Sequence, residues 1–181
     1  SLLWASIKSF WLRFRSEDWQ ITEIEIDVVG QKWKLLNSST QRRIAWTLFV
    51  ELSSRIATQA MPDSDGDNGV ALKSLYYLFQ QTRKTITEIQ PSSALPSRSG
   101  QSDTVETYAL AILNQDLRPF LSKWHPLWDA WRKDNPLSPC YSWEHHTAFR
   151  GQLKALQTQI RDKAEGLAAI SGVSDVGRFL R

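Results

Sequence analysis

VETYALAILNQDLRPFLSKWHPLWDAW, residues 105–131, decides the fold. Val105, Tyr108, Ile112, Leu113 and Leu117 recur at three- and four-residue intervals, which places them on one face of a helix. After Pro119 the same spacing continues through Phe120, Leu121, Trp124, Leu127, Trp128 and Trp131. Proline has no backbone N–H and crowds the preceding turn, so Pro119 is expected to kink this helix or begin a new segment. Working outward, three more segments repeat the pattern. Residues 41–60 carry Ile44, Leu48, Leu52 and Ile56, with Ala45, Trp46 and Phe49 beside them, before Met61-Pro62 stops the helix. Residues 69–90 carry Leu72, Leu75, Phe79, Ile86 and Ile89, and end at Pro91. Residues 141–165 carry Phe149, Leu153, Leu156 and Ile160, with Gly166 and Gly172 expected to loosen the tail. Loops rich in Ser, Pro and Gly join them, notably 91–102.

The period changes between residues 20 and 36. Ile24, Ile26 and Val28 alternate with Glu23, Glu25 and Asp27; after Gly30, Trp33 and Leu35 alternate with Lys32 and Lys34. Two alternating runs about a glycine predict an antiparallel hairpin, with Glu23 or Glu25 opposite Lys32 or Lys34. Two strands alone are marginal in water, so the hairpin should lie at one end or on one face of the helices. The fold expected is mainly α: an antiparallel four- to five-helix bundle with a small N-terminal β-hairpin. The chain divides into an N-terminal helix (1–15), the hairpin (16–36) and the helical bundle (37–181).

The 181 residues suit a globular chain with a sizeable core, and nine tryptophans supply much of the area to bury. The net charge of +3 is too small for a dedicated nucleic-acid binder. The basic excess sits at the two ends, in 1–15 and 150–181. A single cysteine, Cys140, excludes an internal disulfide, and its place in a loop is more often incidental than nucleophilic.

The opening run is amphipathic, with Leu2, Leu3, Ile7, Phe10 and Phe14 among its apolar residues. It is shorter than the ~20 apolar residues needed to cross a bilayer. Trp4, Lys8, Trp11, Arg13 and Arg15 are the combination that suits a membrane–water interface. These membrane-proximal residues read as an interfacial helix, or as the tail of an anchor preceding Ser1. The plainer reading is an amphipathic helix docked on the rest of the chain.

Few patterns carry chemistry. Asp63, Asp65 and Asp67 alternate in an acidic loop, but an EF-hand would need glycine where Asn68 stands and glutamate where Ser74 stands. That loop reads as a solvated turn. His145 and His146 are adjacent beside Glu144, and neighbours on a helix point about 100° apart, which is poor for chelation. No glycine-rich phosphate loop and no nucleophile elbow is present, so no cofactor and no metal are expected. Arg55, Arg83, Asn114 and Arg118 fall on or beside apolar stripes. Such groups need partners, for which Glu51, Glu106 and Asp116 are available. They read either as a pocket for an anionic ligand such as a nucleotide phosphate, or as an internal network that fixes helix register.

Arg118 is followed by His125 with six residues between, which resembles the Arg-x4-6-His motif of HEPN-type ribonucleases, a family of all-helical bundles. The resemblance implies an arginine that steadies phosphate charge and a histidine that moves a proton, acting on RNA at a dimer interface. Pro119 directly after the arginine and the hairpin both depart from that family. The phrases IAWTLFVELSSRIATQ (44–59), SLYYLFQQTRKTI (74–86) and LAILNQDLRPFLSKWHPLWDAW (110–131), about 50 of 181 residues, resemble an uncharacterised bacterial family with an N-terminal membrane helix and a cytoplasmic helical domain. That resemblance implies a place at the inner face of a bacterial membrane and a role in stress or antiviral defence; it brings no catalytic residues. The function expected is a non-catalytic regulatory or interaction domain, with a protein partner, self-association or an anionic membrane surface as its contact. A helical ribonuclease and a nucleotide sensor are the alternatives.

Overall fold

In the computed structural model of the chain, which describes residues 22–28, 30–59, 61, 66–88, 103–173 and 175–180, the alternating run forms the expected hairpin. β1 (Thr22–Val28) pairs antiparallel with β2 (Gln31–Asn37), and Gly30 turns the chain with φ 74°. A positive φ is available to glycine without the clash a Cβ would bring. Ile24 stands opposite Leu35, Ile26 opposite Trp33, and Glu25 opposite Lys34. The ion pair actually made is diagonal, from Lys32 to Glu25 at 4.0 Å, and exposed; such pairs contribute only a few tenths of a kcal/mol. The segment 1–15, with Trp4, Lys8, Trp11, Arg13 and Arg15, lies outside the described residues.

The helices are those the stripes announce, with revised ends. Ser38 caps α1 (Ser39–Ser53) by accepting the N–H of Gln41 at 3.2 Å. The helix stops at Ser53 rather than near residue 60. Its terminal carbonyls are taken by side chains from further on: Thr58 Oγ1 donates to Leu52 O at 2.8 Å and Gln59 Nε2 to Ser53 O at 2.7 Å. α2 (Asn68–Glu88) begins on Asp67, whose Oδ1 accepts from Gly69 N at 2.8 Å and Val70 N at 3.0 Å. Asp67, read from sequence as part of a solvated turn, is therefore a helix cap; Asp63 and Asp65 lie outside the described residues.

Residues 105–134 run without a break as α3 (Val105–Ala111), a π-helical turn (Ile112–Leu117) and α4 (Arg118–Asp134). Pro119 neither ends the helix nor starts a separate one. The N–H of Arg118 reaches five residues back to Leu113 O, and this wider turn makes room for the proline that follows. α5 (His146–Ser171) starts and ends later than expected, because Cys140–Ser142 form a separate 3₁₀ turn and Gly166 lies inside the helix. Gly172, at φ 87°, ends it, with Val173 N donating to Ala168 O at 2.9 Å.

Side-chain contacts fix the directions of packing. On α2 and α4, Gly69 meets Trp128, Tyr76 stacks on His125, and Phe79 lies under Arg118, so numbers rise on one helix as they fall on the other. Arg42 lies beside Gly172, while Gln157 Nε2 donates to Ile56 O and Gln59 O, so α1 and α5 are antiparallel too. Leu48, Leu52, Leu72, Leu75, Leu78, Leu117 and Ile160 fill the middle. Trp124, Trp128, Trp143 and Phe149 close one end, with ring centroids 5.2 Å apart for Trp128 and Trp143 and 5.5 Å apart for Trp124 and Phe149.

The hairpin rests on α5 at Gly166. A Cβ there would sit 2.8 Å from Tyr108 Oη and 2.9 Å from Ile26 Cδ1. Tyr108 has no room to yield, since its hydroxyl donates to Lys163 O at 3.1 Å and its ring packs edge-on against Trp33 at 4.9 Å. Gly166 therefore holds close packing; it does not loosen the tail. Gly166→Ala is expected to destabilise the protein by about 1–2 kcal/mol despite the better helix propensity of alanine. Thermal melts of the two proteins check this; a variant at least as stable as the parent contradicts the packing argument.

Candidate functional site

The candidate residues fall mostly on one outer face, across α2 and α4. Arg118 is exposed; its Nε donates to Asn114 Oδ1 at 3.1 Å, and its guanidinium lies 5.4 Å from the Phe79 ring. His125 follows two turns later, about 10.5 Å along the axis. It is half-buried and stacked on Tyr76, centroids 5.5 Å apart and planes at 27°. Both residues face α2, yet each is engaged with its own aromatic ring. Arg55 lies on the other flank of α2, 4.4 Å over the Tyr77 ring, with Nη2 2.8 Å from Glu51 Oε2, the partner expected for it. Arg83 is exposed one turn beyond Phe79. Of the four suggested ligand residues, then, Asn114 and Arg118 are joined, Arg55 is set apart, and Arg83 is near them along α2. They form an open face rather than a pocket.

Sequence reasoning missed the strongest electrostatic feature. Asp116, expected to serve an arginine, is paired with Lys163 of α5, Nζ to Oδ2 2.6 Å, and both side chains are nearly fully buried. The π turn points Asp116 inward. Burial pushes its carboxyl above the ordinary carboxylate range, while the hydrogen bond and charge of Lys163 pull the other way. Burial, helped by the Asp116 charge, also keeps the Tyr108 phenol protonated well above its ordinary range. Along α5, burial raises Asp162, and burial with the Asp162 charge raises Glu165. No motif announces such a pair; only the inward stripe position of Lys163 on the last helix hinted at it. Glu106, also proposed as an arginine partner, accepts from Gln41 Nε2 at 2.9 Å instead.

A second face is formed by the outer side of α1 and the turn after Gly172. Arg42, Arg43, Trp46 and Val50 follow one another at helical spacing, all exposed, and Phe179 packs edge-on against Phe49 beside them. Trp46 is 48% exposed and Phe179 50%. Neither Arg42 nor Arg43 has an ion-pair partner among the described residues. Among the described residues, no helix is long and apolar enough to cross a membrane.

The remaining candidates have structural partners. His146 Nδ1 is 3.0 Å from Asn68 Nδ2, whereas His145 Nε2 is 3.4 Å from Glu144 Oε1, so the two imidazoles serve separate contacts. Among the described residues, no group of three His, Cys, Asp or Glu side chains could hold a metal ion. Cys140 Sγ lies 3.6 Å from Gly66 O. Arg132 stacks on Trp128 at 4.6 Å, pairs with Asp67 at 3.3 Å and donates to Ser138 O at 2.8 Å, which ties the cap of α2 to the loop after α4. A shallow groove of about 310 Å³ between the π turn, α4 and α5 is bordered by Gln115, Lys123, Gln152 and Gln159 over Phe120 and Leu156. No family model, curated protein or solved structure matches the chain.

Removing one partner of a buried ion pair strands the other charge, so Lys163→Met is expected to destabilise by about 3–5 kcal/mol, with most of this recovered in Lys163→Met/Asp116→Leu. The sign with pH follows. Without Lys163 the Asp116 carboxyl is raised further, so the folded state takes up its proton before the unfolded state does. The deficit of the single variant is then full above the folded-state pKa of Asp116 and narrows as pH falls through it. Melting temperatures of parent, single and double variants across acid to neutral pH check both statements.

Proposed function

We propose that this chain is a non-catalytic interaction domain working on the cytoplasmic face of a bacterial membrane, with the outer side of α1 and the C-terminal turn as its lipid-facing surface. The observation that carries the reading is the half-exposed Trp46 and Phe179 set beside two arginines with no described counter-charge. An indole and a phenyl ring gain by entering the headgroup region, and each nearby basic residue adds about 1 kcal/mol against an anionic leaflet. The Trp- and Arg-rich segment 1–15 supports the same reading by composition. A regulatory role in stress or antiviral defence is the setting the family resemblance implies.

The ribonuclease reading is favoured by one observation, the shared exposed face of Arg118 and His125. It is weakened by their separate engagements, which leave no common point for a phosphodiester within one chain. Incubation of purified protein with single-stranded RNA, beside His125→Ala, tests it; cleavage that His125→Ala abolishes would replace the non-catalytic reading.

Flotation of the full chain with vesicles of phosphatidylcholine alone, or with added phosphatidylglycerol, tests the main proposal. Association is expected with the anionic vesicles, reduced by high salt and by Arg42→Glu/Arg43→Glu, and reduced at any salt by Trp46→Ala. Absence of association with either vesicle, or association indifferent to these substitutions, counts against it.

A further inference from the structure

The exposed face of α2 differs in chemistry from that of α1. Along α2 between Lys73 and Lys84, the exposed large apolar side chains are Tyr76 and Tyr77, 45% and 47% exposed; no exposed aliphatic side chain accompanies them. Each ring is backed by a flat, nitrogen-bearing group: His125 stacks on Tyr76 at 5.5 Å, and Arg55 lies 4.4 Å over Tyr77. Of the two backing groups, Arg55 is itself held by Glu51. Cations border the rings. Lys73 and Arg83 are exposed on α2, and neither has an ion-pair partner among the described residues; Arg118 is exposed on α4 and aimed by Asn114. Lys84 pairs with Glu88 at 3.7 Å in solvent, a contact easily exchanged for another anion. Gln80 is exposed in the same row.

We infer that this outer face of α2, bordered by Arg118 and His125 of α4 on one flank and by Arg55 on the other, binds single-stranded nucleic acid. Unpaired bases present π faces that stack on aromatic rings whatever their sequence, and a bordering row of cations follows the phosphates. A ring already backed by a guanidinium or imidazole is fixed in orientation and has lost its rotamer freedom before the ligand arrives. A duplex would offer no free base faces to the tyrosines. A bilayer would gain less here than at α1, because the exposed groups of α2 are the two tyrosines and one aliphatic side chain, Val70, with no indole, whereas α1 presents Trp46 beside Val50. Charge complementarity is local: the modest net charge of the whole chain gives no sign of it, because acidic residues elsewhere cancel these cations.

The test is fluorescence anisotropy of the full chain with a labelled 20-nucleotide oligouridylate and with a blunt RNA duplex of the same length, across a salt titration. Binding to the single strand is expected, weaker for the duplex, and falling linearly in log K against log salt. Tyr76→Ala and Tyr77→Ala should each lower affinity about 5- to 100-fold. Tyr76→Phe and Tyr77→Phe keep the ring and should bind like the parent, which separates stacking from folding; far-ultraviolet circular dichroism confirms the fold of each variant. Arg83→Gln/Arg118→Gln should flatten the salt slope, whereas Trp46→Ala should leave oligonucleotide binding unchanged. Absence of binding at low salt, equal binding of the duplex, or full affinity in the folded alanine variants overturns the inference.

Discussion

Of the two missing N–H groups in the long central helix, that of Pro119 organises it, whereas Pro126 is carried inside α4. Pro119 cannot donate to the turn before it, and a regular α-helix would drive its ring into a carbonyl. The chain answers by widening one turn over Ile112–Leu117, so that Arg118 N–H reaches back five residues instead of four. The wider turn changes the angular bookkeeping of everything after it. Before it, Tyr108 packs against Trp33 of the hairpin; after it, Trp124 and Trp128 face the aromatic end, while Arg118 and His125 face α2. Asp116 lies within the turn and is carried inward to Lys163. Burying that pair demands good geometry, because two desolvated charges are repaid only at close range. Its position between the central helix and α5 fixes their register where apolar contacts alone would tolerate sliding.

The same arrangement sorts the surface. Among the cations on the outside of α2 and α4, Arg118 lies against the Phe79 ring and the Asn114 amide and so has a defined direction, whereas Lys73 and Arg83 are exposed. Those on α1 stand in solvent beside a half-exposed indole. The bundle thus carries two exposed faces of unlike chemistry.

Much of the architecture was legible in the residues. The stripes of 41–60, 69–90 and 105–131 named most of the buried leucines with Trp124 and Trp128, but they also took in Trp46 and Leu127, which are exposed, and passed over the buried Leu78; the Ile-Glu and Lys-Trp alternation named the hairpin. Errors clustered where side chains compete with the backbone. Thr58 and Gln59 cap α1 early from positions that read as more helix, and Asp67 caps α2 from within a loop that read as solvent-facing. Gly166 read as a breaker because a sequence does not reveal that Tyr108 and Ile26 approach it. For the functional residues, spacing placed Arg118 and His125 on one side of one helix but could not say that Phe79 and Tyr76 would occupy them separately. Arg55 with Glu51 was within reach of an i,i+4 rule. Asp116 with Lys163 was not, since it joins elements far apart in the chain.

One modest contact governs how the second half of the chain begins. Asp103 N donates to Lys34 O at 2.6 Å and aligns parallel to Leu35, one residue before the Thr104 cap of α3. The starting point of α3 is thereby set by the hairpin backbone and not by the residues that lead up to it. Positions 89–102 connect α2 to this anchored point. Because the entropy of closing a loop grows only logarithmically, doubling that stretch would cost about 0.6 kcal/mol.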